Sequence, residues 1–310
     1  MNVLITGGAG YLGSVLTEVL LNKNNGVVVY DNLMYKQSPL LHLCHRTGLE
    51  IIRGDVRDAD MLRKEINKAD VIIPLAAIVG APACNRDPEL ATDVNYLHVK
   101  HIADTVSRDQ MLILPNTNSG YGVGGAKVCT EESPLQPLSH YGKTKCDAEK
   151  RVLNENGISL RLATVFGTSA RQRLDLLVND FTYKAMTDGY IVLFEKHFQR
   201  NYIHIRDVVS AFVFMIDNYD RCRGNVYNVG LSSANLTKYE LALKIKEHFP
   251  DFSIQCDEYA KDKDQRNYEV SNIKLESLGW KPEYNIDDGI NELKKAFGML
   301  FSRQQEFTNL

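Results

Sequence analysis

Residues 3–13, Val3-Leu4-Ile5-Thr6-Gly7-Gly8-Ala9-Gly10-Tyr11-Leu12-Gly13, decide how the rest of the chain is read. An apolar run of strand length meets glycines at Gly7, Gly10 and Gly13, and apolar positions then recur at helical spacing over Leu12–Leu21. Glycine at these points lets the backbone turn sharply, approach a phosphate closely and pack helix against strand. The helix start then presents unpaired N–H groups and a partial positive charge to whatever sits in the loop. The spacing is GxxGxxG rather than GxGxxG, so a plain tight turn competes as a reading of the loop alone.

The segments that follow decide between them. Val27–Tyr30, Glu50–Arg53, Val71–Pro74 and Met111–Pro115 are short apolar runs that fit buried strands, and Met61–Ile66 and Val94–Ser107 carry helical spacing between them. Strands alternating with helical crossovers predict a parallel sheet covered on both faces: an α/β, Rossmann-type doubly wound fold. A helix is expected from Tyr141 to about Asn154, then a strand Ser159–Val165. Beyond Gly167 the pattern predicts helix Arg171–Lys184, strand Tyr190–Leu193, helix Ile205–Asn218 and strand Asn225–Val229. Helix Thr237–His248, capped by Asn235 or Thr237, and a final helix Ile286–Phe297 follow. No repeat or low-complexity linker interrupts the chain, so the second half is expected to be a smaller α/β lobe interleaved with the first. The expected division is residues 1–165 plus about 201–230 for the sheet domain, and about 166–200 plus 231–310 for the lobe.

Open α/β sheets bind ligands at strand C-termini, and several polar or small residues sit there. Asp31, with Asn32 beside it, ends the second strand, where a carboxylate accepts hydrogen bonds from an adenosine ribose and repels a 2′-phosphate. NAD is therefore favoured over NADP. Asp55 and Val56 follow the third strand, within reach of an adenine edge. Leu75, Ala76 and Ala77 follow the fourth, where small side chains let backbone pass beside a cofactor. The loop residues Gly7, Gly10, Tyr11 and Leu12 complete the expected cofactor set.

Tyr141-Gly142-Lys143-Thr144-Lys145 puts Tyr141 and Lys145 on one helical face. A phenol is a poor base at neutral pH, but a neighbouring ammonium and an oxidised nicotinamide both favour the phenolate, so the tyrosine pKa is expected to fall. Tyr141 then takes a hydroxyl proton while hydride leaves the same carbon. Lys145 also serves to hold the nicotinamide ribose. A tyrosine and a lysine one turn apart are commonly a solvated helix face; the glycine loop and Asp31 upstream give them a cofactor to work with.

These residues, together with Arg200-Asn201-Tyr202-Ile203-His204, resemble the extended short-chain dehydrogenase/reductase family of NAD-dependent nucleotide-sugar epimerases, dehydratases and dehydrogenases. The resemblance spans nearly the whole chain. It implies that Thr117, four residues before Tyr121-Gly122, hydrogen-bonds the sugar O4 as a third catalytic residue. It also implies that Asn95 lies near the cofactor, and that Arg200 and Arg266 meet the substrate diphosphate. The 4,6-dehydratases of the family carry Thr-Asp-Glu where this chain has Thr117-Asn118-Ser119; neither Asn118 nor Ser119 supplies a carboxyl group, which disfavours dehydration. Asn118 and Ser119 are expected at the substrate instead. Two further positions depart from the family pattern: Pro74 stands for a histidine, and Thr164 for an asparagine at the phosphate. The strings Arg161–Gly167, Arg171–Asp180 and Leu231–Thr237 resemble the GDP-heptose 4-dehydrogenases of bacterial capsular polysaccharide synthesis, which makes Arg173 and Asn179 candidate contacts to the nucleotide.

The expected activity is oxidation of the C4 hydroxyl of a nucleotide-diphosphate sugar, GDP-linked in preference. A 4-epimerase using the same first step is the alternative, and a non-catalytic NAD-binding regulator a more distant one. The resemblance also implies a homodimer or homotetramer built through helices Val94–Ser107 and Tyr141–Asn154, with Val99, Ile102, Ala103 and Val106 as one apolar stripe. An internal core stripe would show the same spacing. A formal net charge of −3 offers no field for nucleic acid or an anionic membrane. No run approaches the ~18 apolar residues of a membrane span, and the N-terminus reads as a strand rather than a signal peptide. Six cysteines without a CxxC pair and eight scattered histidines give no metal-ligand spacing; reduced thiols and a cytoplasmic location are expected.

Overall fold

Val3 and Ile5 of strand β1 (Asn2–Thr6) enter one hydrophobic cluster while Leu4, between them, enters another. That alternation is the period-two signature of a strand buried on both faces. The computed structural model describes residues 1–35, 37–123, 128–257 and 266–300, so the last ten residues of the expected lobe, 301–310, lie outside them. Strands β2 (Gly26–Asp31), β3 (Leu49–Arg53), β4 (Val71–Pro74), β5 (Met111–Thr117), β6 (Ile158–Leu162) and β10 (Val226–Val229) join β1 in one sheet. Its order is β3-β2-β1-β4-β5-β6-β10, and every pairing is parallel. The order reverses between β1 and β4, which opens a crevice at their C-terminal ends.

Helices α1 (Tyr11–Asn22) and α6 (Ile205–Asp217) cover one face through Leu16, Leu20, Phe212 and Met215. Helices α2 (Ala59–Ile66), α3 (His98–Thr105) and α4 (His140–Asn154) cover the other through Leu62, Val99, Ile102, Ala148 and Val152. Val99, Ile102 and Ala103 are therefore spent on the chain's own core, and the stripe expected between subunits is an internal one. The expected single helix Val94–Ser107 is divided: Asp93–Leu97 is a wider turn and α3 starts at His98. Asn95 sits in that wider turn, with its side-chain amide bonded to the Ile78 backbone.

A second core lies beyond Ala163, with Phe166, Phe181, Tyr202 and Leu241 among its members. The expected strand Ser159–Val165 is two strands. β6 ends at Leu162, Ala163 donates its N–H to Val229 O at 2.9 Å, and β7 (Thr164–Phe166) pairs with β9 (Gln199–His204) in a separate three-stranded sheet with β11 (Asn235–Thr237). The chain thus changes sheets at one residue. A parallel pair, β8 (Tyr190–Phe194) with β12 (Ser253–Asp257), and helices α5 (Leu177–Thr187), α7 (Lys238–His248) and α8 (Ile286–Phe297) complete this lobe. Thr237, not Asn235, caps α7, exchanging hydrogen bonds with Glu240 in a capping box. The expected helix Arg171–Lys184 starts only at Leu177, because the residues before it cross to α1 instead.

One buried polar cluster ties the catalytic helix to the sheet. Glu149 on α4 is 3% exposed and Arg161 on β6 is 4% exposed, so neither charge is solvated. Glu149 accepts from Arg161 Nη2 at 2.7 Å and Nε at 3.1 Å, from Asn116 Nδ2 at 2.6 Å and from Ser159 Oγ at 2.7 Å. A buried carboxylate is tolerable only with its lone pairs satisfied in this way. Arg161→Met strands that carboxylate, and the expected loss is about 3–5 kcal/mol of unfolding free energy in urea titrations; a loss below about 1 kcal/mol would mean the pair contributes no more than a surface ion pair.

Candidate active site

Gly7 adopts φ +72°, and a Cβ there would stand 2.6 Å from Ala76 N, which is backbone that has no room to yield. At Gly13 a Cβ would stand 2.5 Å from Gly7 O. Gly10 caps α1 with no side-chain hydrogen bond, and no acidic residue lies in the first turn. The helix start therefore keeps its positive end and its N–H groups open toward the crevice, a cradle suited to the diphosphate of a dinucleotide.

The crevice has a volume of about 890 Å³, at the upper end for small-molecule sites. From the glycine loop it passes Asp31, Asn32, Asp55, Val56 and the Leu75-Ala76-Ala77 run to Thr117, Tyr141 and Lys145. Asp31 accepts from Ala9 N at 3.0 Å and from Leu33 N at 2.8 Å, which fixes the carboxylate and leaves lone pairs for ribose hydroxyls. Burial raises its pKa, against the pull of those two N–H groups and of Arg171. Asp55 is clasped by Arg57 through Nε at 3.0 Å and Nη2 at 2.7 Å, so the carboxylate expected at an adenine edge already holds a cation. Asn95 does not line the crevice: it is fully buried, and its hold on Ile78 N and O supports the Leu75–Ile78 backbone from behind.

Ser139 opens α4 by accepting from Gly142 N at 3.1 Å, which sets Tyr141 in the first turn and Lys145 one turn on. Thr117 closes β5. Its N–H donates to Asn116 Oδ1 at 2.8 Å, and its hydroxyl donates to Ser119 Oγ at 2.9 Å. Arg266 Nη1 also donates to Ser119, at 2.6 Å, so this arginine reaches the catalytic end. Arg200 on β9, Thr164 at the start of β7 and Arg173 line the same crevice, Arg173 in an ion pair with Asp175 at 2.5 Å. Asn118 and Asn179, expected at the substrate, do not line it. Asn118 is 1% exposed behind the wall. Asn179 is spent on Gly167 N at 3.1 Å and Arg173 O at 2.8 Å, and so shapes the loop that carries Arg173. Sequence reasoning missed Tyr35, Gln37 and Arg171, which also line the crevice; the charged string Arg171-Gln172-Arg173 was the available signal, hidden by its reading as helix.

The fall expected for the Tyr141 phenol presupposes a bound oxidised nicotinamide; in the protein alone the shift is upward. Burial, with Cys84 nearby, pushes the phenol up to about 12, and Arg266 and Arg173 only partly oppose it. Lys145 is buried as well, and desolvation brings its ammonium down to about 8 against the pull of Glu149. In the protein alone, withdrawal from water outweighs the neighbouring cations at both groups. Below about pH 8 the folded chain holds a buried ammonium that the unfolded chain keeps in water, so Lys145 costs stability there. That cost fades as pH rises from about 8 toward the ordinary lysine range. Lys145→Met is expected to raise the unfolding free energy at pH 7 by about 1–3 kcal/mol, with the gain shrinking toward pH 10 in denaturant titrations. An equal or lower stability of the variant at pH 7 would contradict the shift.

Residues 3–230 match the model of the NAD dependent epimerase/dehydratase family. Among relatives, the low-salt glycan biosynthesis protein Agl12 of Haloferax volcanii is 29% identical over 94% of this chain and 96% of its own length. A putative UDP-glucose 4-epimerase of Methanocaldococcus jannaschii is 25% identical with the same coverage, 94% and 96%. Of solved structures, the UDP-glucuronic acid 4-epimerase of Bacillus cereus in complex with UDP-glucuronic acid and NAD shares the fold at a TM-score of 0.85. It is 22% identical, with 97% of this chain and all of that one covered. The glycine cradle, the Tyr141–Lys145 face and the family match agree: the chain belongs to the NAD dependent epimerase/dehydratase family, and is an enzyme with NAD as its cofactor.

Proposed function

We propose that the chain oxidises the C4 hydroxyl of a nucleotide-diphosphate sugar to the 4-keto sugar. The observation that carries this reading is that Tyr141, Lys145 and Thr117 line the same crevice as the glycine cradle. Thr117 holds the sugar O4, Tyr141 takes the hydroxyl proton on its phenolate oxygen, and the C–H electron pair leaves C4 as hydride. NAD, when bound, accepts that hydride. Lys145 and Arg266 stabilise the phenolate by charge, and Arg200 with Arg173 supplies donors for the sugar's diphosphate. Asn118 and Ser119 offer no carboxyl group, so water elimination has neither acid nor base beside Tyr141.

The sugar we propose is a GDP-linked heptose, supported by the strings Arg171–Asp180 and Leu231–Thr237. The second reading is a 4-epimerase acting on a UDP-sugar, favoured by the names of the relatives. It shares the first step and returns the hydride to the opposite face of the ketone. We also propose a homodimer through the outer faces of α3 and α4, where Leu97, just before α3, is 46% exposed; a monomer in light scattering removes that claim.

The test is a panel of GDP-, UDP- and dTDP-sugars followed by absorbance at 340 nm and by product identity. Net NADH with a borohydride-trappable ketone is expected; two sugar epimers interconverting without net NADH would replace oxidation by epimerisation. Tyr141→Phe is expected to lose at least ~100-fold in kcat/KM, and turnover near the unsubstituted rate would overturn both.

A further inference from the structure

Gly167 to Leu176 leaves β7 and, instead of starting a helix, crosses to the N-terminal end of α1. Tyr11 OH donates to Gly167 O at 2.8 Å, and Ser169 Oγ donates to Tyr11 O at 2.7 Å and shares a 2.9 Å hydrogen bond with Ser14 Oγ. On the far side, Gln37 Nε2 donates to Gln172 O at 3.3 Å. The strap is thus fastened both to the helix whose start forms the anion cradle and to the loop that follows Asp31.

Arg171 lies between these fastenings. It is 2% exposed, and its guanidinium carbon stands 4.0 Å from the centre of the Tyr35 ring. Its charge acts on Asp31 and on Tyr35, both of which line the crevice. Stacking on an aromatic face fixes the plane of a guanidinium and leaves its N–H edge directed sideways, the geometry that suits phosphate oxygens.

We propose that Arg171 is a cofactor-binding residue: seated on Tyr35, it donates to a phosphate oxygen of the dinucleotide from the side opposite the glycine loop and closes the strap over the adenosine half. The cradle then has two walls, backbone N–H groups from α1 and a side-chain cation from the other lobe. Departure of the cofactor requires the strap to open. This rests on NAD occupying the crevice and not on the identity of the sugar or the fate of the hydride.

Binding to the full chain stripped of nucleotide tests it without any turnover assay. ADP-ribose carries the diphosphate and adenosine does not. Arg171→Ala is expected to weaken ADP-ribose by about tenfold to a hundredfold in titration calorimetry, since a hydrogen bond to a charged group is lost. Adenosine affinity, read by ligand-observed NMR, stays within about twofold, as expected for a ligand with no charge for the arginine to meet. Release of NAD accelerates by the factor seen for ADP-ribose. Equal weakening of both ligands would reduce Arg171 to a pin for the loop and overturn the proposal, as would unchanged ADP-ribose affinity. Where Arg171→Ala fails to fold, Tyr35→Leu removes the ring platform while keeping the cation, and the same selective loss is expected. The sugar panel reports separately on C4 oxidation, so either result stands if the other fails.

Discussion

A buried carboxylate with four hydrogen bonds holds this enzyme's working parts in register. Glu149 sits two turns beyond Tyr141 and one beyond Lys145 on α4, and it grips Asn116 at the end of β5 and Arg161 on β6. Asn116 in turn accepts the N–H of Thr117. The hydroxyl that would hold the sugar and the phenol that would deprotonate it are thus joined through one buried anion, across two elements otherwise linked by apolar packing. Arg161 extends the cluster through Tyr121 OH at 2.9 Å to Asn228 on β10, so three parallel strands and the catalytic helix share the constraint. Directional bonds with a full complement of donors fix relative position in a way that interchangeable methyl contacts do not.

The same burial that makes the cluster rigid makes the reactive pair uncomfortable. Tyr141 and Lys145 both sit where their charged forms are disfavoured, the phenol raised and the ammonium lowered. The protein alone holds the tyrosine as a neutral phenol. Guanidinium charge from Arg266 and Arg173 offsets part of the penalty, and Arg266 is positioned through Ser119, where a carboxylic acid would stand in a dehydratase. The Ser119 hydroxyl gives the Arg266 cation a neutral acceptor and, on the function proposed above, leaves elimination without a carboxyl group there.

Much of this was legible in the sequence, for identifiable reasons. An apolar run of strand length such as Val3-Leu4-Ile5 is a local property, and so are the glycine loop and the helical spacing of Tyr141 and Lys145; each follows from backbone geometry over a few residues. What was not legible depends on where a segment goes. Ala163 lies in Leu162-Ala163-Thr164-Val165, residues that all suit a strand and include neither Gly nor Pro, so no local signal marks the step from one sheet to another. Leu174 continues the helical spacing of Leu177, Val178 and Phe181, yet it reaches the second core from a loop. Asn179 is polar in a helix beside the site, and only the turn of that helix decides that it faces Gly167 instead of the crevice. The upward shift of the tyrosine in the protein alone has the same origin: sequence supplies neighbours, but desolvation is set by everything packed around them.

The division between two cores bears on how the hydride is used. The crevice is walled by the parallel sheet on one side and by β7, β9 and the strap on the other, so cofactor and sugar enter a space whose walls belong to different lobes. On the readings proposed above, Arg171 of the strap serves the dinucleotide, whereas Arg173 of the same strap, Arg200 on β9 and Arg266 beside Ser119 serve the sugar. An oxidation that draws on free NAD must release reduced cofactor in every cycle, and with Arg171 holding the dinucleotide as proposed that step requires breaking the Ser169 and Gln37 contacts together with a stacked cation, whereas reoxidation in place by a second carbonyl substrate does not. An epimerase never needs the strap to open, because the hydride returns before anything leaves. The strength of the strap relative to the hold on the keto sugar therefore sets which outcome is faster, and it does so at residues remote from Tyr141.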